Sequence, residues 1–202
     1  TGDTFWAGVT HKQRLALQEG KQPPLDHAGA FGVFPREQAL GKPLIAAING
    51  HAGGLGALIC LQCEIRIAAE NATIGYDLAQ RGLFPPRLQE IWLMAPPAIG
   101  LYALLTGEPI TAAQGHNVGL FNEVVPRQRL MERCHQIAAR IRDNAPLVVR
   151  AIKEVWDQEL QFSVLRSLRT YTRVAQQVAH SEDAVEGSRA AAGGKKPRWK
   201  GK

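Results

Sequence analysis

The sequence predicts an α/β fold, and three observations carry that prediction. Leu44 to Ile48 is a short apolar run without polar alternation, the pattern of a strand covered on both faces. Asn49-Gly50 signals a turn, Gly53, Gly54 and Gly56 follow closely, and Ala57 to Gln62 reads as a small, apolar helix. From Pro97 onward the pattern is mostly helical.

With 202 residues, 45% of them hydrophobic, the chain can bury one proper core. No apolar run approaches the ~20 residues that cross a bilayer, and no membrane partner is expected. The N-terminus shows no signal-peptide pattern. Three cysteines are too few, and odd in number, for a disulfide framework, so a reducing, cytoplasmic compartment fits best. The net charge of +6 is concentrated in Lys195, Lys196, Arg198, Lys200 and Lys202, which leaves the remainder near neutral. Without interleaved aromatics or a basic helix face, this reads as a solvated tail, and no nucleic-acid partner is expected.

Taken in order, Gly2-Asp3 opens on a turn, and Lys12 to Gln18 reads as a helix before a polar, proline-containing connection to Leu40. Glu64 to Ala68 is a predicted strand, and Asn71 to Gly75 leads into Tyr76-Asp77-Leu78. Helices are expected at Ala98–Leu105, Ala112–Asn117, Arg127–Arg142 and Pro146–Gln158. A longer one, about Leu160 to Ala179, has apolar Val164, Leu168, Tyr171 and Val174 three or four residues apart. Thr111 and Ser181 are predicted N-caps. Ala190 to Gly194 is expected to interrupt the final helix and free the tail. Cys60 and Cys63 form a C-x-x-C inside a helix, with no second pair or nearby histidines, so they read as buried structural thiols and no metal is expected.

The glycine cluster admits two readings. One is tight packing of helix on strand. The other is a backbone-amide site, because a helix N-terminus leaves N–H groups free and carries the positive end of the dipole. The turn lacks the Gly-Lys-Ser/Thr of a phosphate loop and the spacing of a dinucleotide fingerprint.

Asn49-Gly-His-Ala-Gly-Gly-Leu-Gly56, then Cys63-Glu-Ile-Arg-Ile-Ala-Ala-Glu-Asn-Ala72, resembles the signature segment of the enoyl-CoA hydratase/isomerase (crotonase) superfamily. The resemblance continues through Leu105-Thr-Gly107, Val118 to Pro126, Ala145-Pro-Leu147 and Ser181 to Gly187. It implies a crotonase-like ββα spiral with a C-terminal helical trimerisation region. The spiral core with its acyl-CoA site would span 1–125, and the helical region with the basic tail 126–202. The family places several strands and a helix before the loop at which this sequence starts. A sheet lacking those leading strands is expected to expose a raw edge.

The same resemblance assigns an oxyanion hole to the backbone N–H groups of Val9 and Leu55, the first in a loop that begins Phe5-Trp-Ala-Gly8. It implies acyl-CoA contacts at Gly8, Lys12 and Gly54, with coenzyme A entering as part of the substrate and no separate cofactor. His51, just before the amide turn, is expected to pack in the core or to meet the ligand. Arg87 sits on a lip where the family's glycine-rich run is replaced by Pro86-Arg-Leu-Gln89.

The family's hydratases handle water with two glutamates; here their positions fall on Leu58 and Leu78. A leucine neither activates water nor protonates a carbanion. Asp77 is then the nearest candidate acid/base, with Tyr76 beside it, although strand alternation would point Asp77 away from the face of residue 78. The expected function is acyl-CoA thioester chemistry through an enolate, with a non-standard acid/base set. The alternative is a non-catalytic acyl-CoA-binding or assembly protein of the same fold. A homotrimer or dimer of trimers is implied by the family.

Overall fold

A computed structural model describes residues 2–6, 40–84, 91, 94–157, 176 and 180–200. Two sheets share the described core. Strands β1 (Thr4–Trp6), β3 (His51–Gly53), β5 (Thr73–Gly75) and β6 (Ile110–Thr111) form one, in that order, with β6 antiparallel to β5. Strands β2 (Ile45–Ile48), β4 (Ile65–Ala69) and β7 (Glu123–Val125) form the other, and all its pairings are parallel.

The chain passes from one sheet to the other within each turn of structure. β2 hands over to β3 at the Asn49-Gly50 corner, helix α1 (Leu55–Gln62) returns, and β4 and β5 repeat the step. A Cβ on Gly50 would lie 2.0 Å from the Asp3 carbonyl oxygen, so this corner glycine serves close packing of backbone on backbone. β2 is an edge strand among the described residues.

Helix α1 is apolar on all sides and is covered accordingly. Ala57, Leu58, Cys60 and Leu61 are essentially inaccessible and pack with Ile48, Ile67 and Ile74 into the main core. Burying one such leucine contributes about 2–3 kcal/mol. Burial raises the Cys60 thiol far above its usual range, so it stays protonated, and the three buried cysteines form no disulfide.

Helices α2 (Pro97–Thr106), α3 (Ala112–Asn117), α4 (Leu130–Arg142), a segment over 146–157 and α5 (Glu182–Ala192) follow. Thr111 caps α3 through a full capping box: its Oγ1 accepts from the Gln114 N–H at 3.2 Å, and the Gln114 side chain accepts from the Thr111 N–H at 3.0 Å. Ser181 caps α5 by accepting from the Ala184 N–H at 3.1 Å. Arg127–Arg129 is a 3₁₀ turn ahead of α4, not part of one long helix. Glu64 precedes β4, and its carboxylate accepts from the Leu44 N–H at 2.8 Å. The predicted helices at 12–18 and 160–179 lie outside the described residues, apart from Gln176.

The tail is a correction. It is not free: the Lys195 N–H closes on the Ala190 carbonyl, and residues 198–200 bond back to the start of α5. Glu182, Asp183 and Glu186 supply acceptors there that no local periodicity announces.

Candidate active site: a bare helix terminus at the ends of parallel strands

β3 and β5 run parallel, with Gly53 opposite Gly75 as their last paired residues. Leu55 and Asp77 each stand two residues further on, so both emerge at the same, C-terminal end of the sheet. Ligands of open parallel sheets bind at that end. β1 also runs parallel to β3 and ends at Trp6, opposite Ala52.

Gly54 is the N-cap residue of α1, at φ 52 and ψ −112, a conformation that glycine alone adopts without strain. Its own N–H donates to the Gly75 carbonyl at 3.1 Å, which ties the turn to β5. A Cβ built on it meets no described residue within 4 Å. Leu55 follows as the first helical residue, where an N–H has no intrahelical acceptor. No side chain caps the helix and no acidic residue occupies its first turn. The two readings of the glycine cluster therefore divide between residues: Gly50 packs, and Gly54 keeps an amide terminus bare. Such a terminus suits a developing oxyanion.

Tyr76 is the largest fully buried side chain among the described residues, at 1% exposure. Asp77 leaves the sheet altogether, since β5 ends at Gly75 and strand alternation does not govern residues 77 and 78. Its Oδ2 pairs with the Arg81 guanidinium one helical turn on, across a short 3₁₀ turn at Ala79–Arg81. Oδ1 takes no hydrogen bond among the described residues. Leu78 turns inward instead and packs with Leu83 and Ala184 in a small cluster of its own. Leu58 lies in the main core with no exposed surface. The two positions at which the resemblance expects glutamates thus hold buried apolar side chains.

His51 departs from the core-packing expectation. It is exposed, because alternation along β3 buries Ala52 and turns residue 51 outward. Its Nδ1 and the Thr73 Oγ1 share a 2.7 Å hydrogen bond across the strand pair, and its ring lies over Gly75. Gly8, Val9, Lys12 and Arg87 lie outside the described residues.

Two features escaped the sequence reading. Arg81 as the partner of Asp77 was available from the i,i+4 spacing. Lys153 was not: it is 5% exposed, paired with Asp157 and 3.4 Å from Glu64. These contacts fasten the 146–157 helix to the end of α1. A cavity of about 390 Å³, lined by Cys63, Glu64, Met94, Lys153 and Trp156 among others, opens there. Eight helical residues put it about 12 Å from the Leu55 amide, at the wrong end of α1 for thioester chemistry. Among the described residues, no group of histidine, cysteine and carboxylate side chains could hold a metal ion.

Comparison with known proteins agrees with this architecture. The sequence profile of the enoyl-CoA hydratase/isomerase family matches residues 1–202. A carnitinyl-CoA dehydratase from Proteus mirabilis is 36% identical over 198 residues, covering 93% of this chain and 74% of that protein. The crystal structure of a carnitinyl-CoA hydratase from Mycobacterium avium superposes with a TM-score of 0.74 at 34% identity, over 93% of this chain and 74% of that one. An enoyl-CoA hydratase/isomerase from Mycobacterium paratuberculosis gives a TM-score of 0.70 at 29% identity, over 100% of this chain and 79% of that one. A shared signature turn, matching sheets and similarity along the whole sequence lead to one conclusion: the chain belongs to the enoyl-CoA hydratase/isomerase family.

Proposed function

We propose that this protein binds an acyl-CoA thioester with its carbonyl oxygen at the Leu55 amide and stabilises the enolate formed from it. The observation that carries this reading is the uncapped start of α1 behind Gly54, with no described residue against Gly54, at the C-terminal ends of parallel strands. By resemblance, the Val9 amide supplies the second donor, and Gly8, Gly54 and Lys12 line the path of the CoA ester. One such donor contributes about 2.7–4 kcal/mol to the transition state.

Enolate formation moves the α-proton of the acyl group to a base while the thioester oxygen takes up the charge. Asp77 is the carboxylate that emerges beside the amide, with Oδ1 available, and Arg81 holds its other oxygen. Leu58 and Leu78 remove the two groups that hydration and dehydration require in this family. The carnitinyl-CoA dehydratases therefore point to the ester handle and not to their own reaction. Isomerase, decarboxylase, lyase and thioester hydrolase chemistry all pass through a polarised thioester and fit the same site.

The test is exchange of the α-protons of butyryl-CoA in D2O, followed by NMR. The expected result is exchange catalysed by the intact protein and lost, by about 100-fold or more, in Asp77→Asn with CoA binding retained. Exchange unaffected by Asp77→Asn refutes that residue's role, and no binding of the ester refutes the site.

A second reading, a non-catalytic acyl-CoA-binding protein, is favoured by the burial of Leu58 and Leu78 in apolar clusters. It predicts binding without exchange. In either case the 126–202 region is read as the assembly face of a trimer, supported by the exposed Leu147, Val148, Ile152 and Val155.

A further inference from the structure

We propose that residues 195–200 form a clasp which, through α5, fixes the Asp77–Arg81 turn beside the Leu55 amide, so that Gly187, Trp199 and Lys200 are positioning residues for this site. The relevance to chemistry rests on the thioester reading above; the clasp itself rests on contacts.

The first contact is backbone on backbone. A Cβ on Gly187 would lie 1.9 Å from the Arg81 carbonyl oxygen and 2.3 Å from its carbon. Helix α5 therefore meets the turn with no side chain between them, and any residue larger than glycine must push the two apart. Apolar packing flanks this point: Ala184, fully buried on the same helix, closes over Leu78 and Leu83. Ser188, buried one position beyond Gly187, donates to the Ala184 carbonyl at 3.0 Å, so no polar group faces the joint unsatisfied from that side. Residues 77–83 thus carry Asp77 and Arg81 on one side and the seat of α5 on the other.

The tail then holds α5 in that seat. After Gly193 the chain reverses, and it runs back along the helix to its start. The Arg198 N–H donates to Glu186 Oε1 at 3.1 Å, and the Lys200 N–H to Asp183 Oδ1 at 2.7 Å. The Lys200 ammonium donates to Glu182 Oε2 at 2.8 Å. The Trp199 ring lies against Gly82: a Cβ there would be 3.0 Å from its Cζ3 and 2.4 Å from the Asp183 carbonyl oxygen. Tail, helix start and turn therefore meet at one place. Each exposed hydrogen bond or ion pair is weak alone, and the clasp depends on their being made together by one short segment.

This gives the basic tail a role that charge alone does not suggest. Its lysine and main-chain amides neutralise an acidic helix start, and its tryptophan covers the end of the site-bearing turn.

The decisive experiment is hydrogen–deuterium exchange on the intact protein and on a chain ending at Gly194, paired with α-proton exchange of butyryl-CoA. The clasp predicts that amides of residues 77–83 exchange at least tenfold faster in the shortened chain, while those of β2 and β4 keep their protection. It also predicts that kcat for α-proton exchange falls while KM is unchanged, since the ester contacts are made elsewhere. If the shortened chain fails to fold, the full-length Trp199→Ala/Lys200→Ala variant replaces it, with Trp199→Phe/Lys200→Arg as the conservative control that retains wild-type protection. Unchanged protection of residues 77–83 overturns the clasp. Loosening of the turn in a protein whose intact form does not process acyl-CoA upholds the clasp and overturns the thioester reading.

Discussion

Gly54→Ala is the perturbation that bears most directly on the amide site, and Gly119→Ala is its control. Both glycines have positive φ, 52 and 76, and a Cβ on either meets no described residue within 4 Å. Neither substitution creates a clash, so both act through backbone strain, at about 1–3 kcal/mol for a sparsely populated conformation. For a chain of this size that is a fall in Tm of about 2–4 °C per kcal/mol. The two variants are therefore expected to lose similar stability, read from urea midpoints with unchanged slopes. They differ in where the residue stands: Gly119 lies in the connection from α3 to β7, whereas Gly54 immediately precedes the Leu55 N–H at the start of α1. Acyl-CoA affinity, titrated where both variants remain fully folded, is expected to fall at least tenfold for Gly54→Ala and to stay within twofold for Gly119→Ala. Equal affinities refute the placement of the ester at α1. An undamaged Gly54→Ala stability refutes the described conformation of the turn.

Three further outcomes follow from the packing and the charges. Leu58→Ala removes a fully buried side chain from the main core and is expected to cost about 2–5 kcal/mol in urea unfolding, with any loss of α-proton exchange explained by the unfolded fraction. Arg133 donates to both oxygens of Glu123, at 2.6 and 2.5 Å, and these bonds hold the carboxyl below its usual range. Because the folded value is depressed, the stabilisation is present above the unfolded pKa and is lost as pH falls through the folded one. The urea midpoint of Glu123→Gln should therefore lie below wild type at pH 7 and converge on it in acid. If the proposed trimer forms through the exposed face of 146–157, Leu147→Glu/Ile152→Glu should give monomers in light scattering where the unaltered protein gives trimers, with far-UV circular dichroism unchanged.

What the sequence discloses is what short-range physics decides. The run from Leu44 to Ile48 has no polar residue to place, so it announces a covered strand, and β2 occupies Ile45–Ile48. Small apolar residues after the glycines announce α1, and Thr111 with Gln114 announces the start of α3 by its own hydrogen bonds. The signature turn announces the amide terminus, since Gly54 needs a conformation open to glycine alone. Long-range choices are silent. Lys153 is buried because Glu64 and Asp157 reach it, and nothing in the periodicity of its helix predicts that. His51 reads as a core residue until the register puts Thr73 opposite it, on the outward face. The tail reads as solvated until its main-chain amides find acceptors 12 and 17 residues earlier. At the candidate site the resemblance puts leucines at 58 and 78 where glutamates are expected, whereas nothing local announces that the 78–83 turn seats against α5.

The proposed thioester site has one decisive test: incubation of crotonyl-CoA with the purified protein, following the conjugated thioester absorbance beside a calorimetric titration of the same ester. It predicts saturable binding with no loss of absorbance at ordinary hydratase rates, because a polarising amide remains and the water-handling carboxylates do not. Rapid loss of absorbance would contradict the assignment of Leu58 and Leu78, and absence of binding would contradict the thioester site itself.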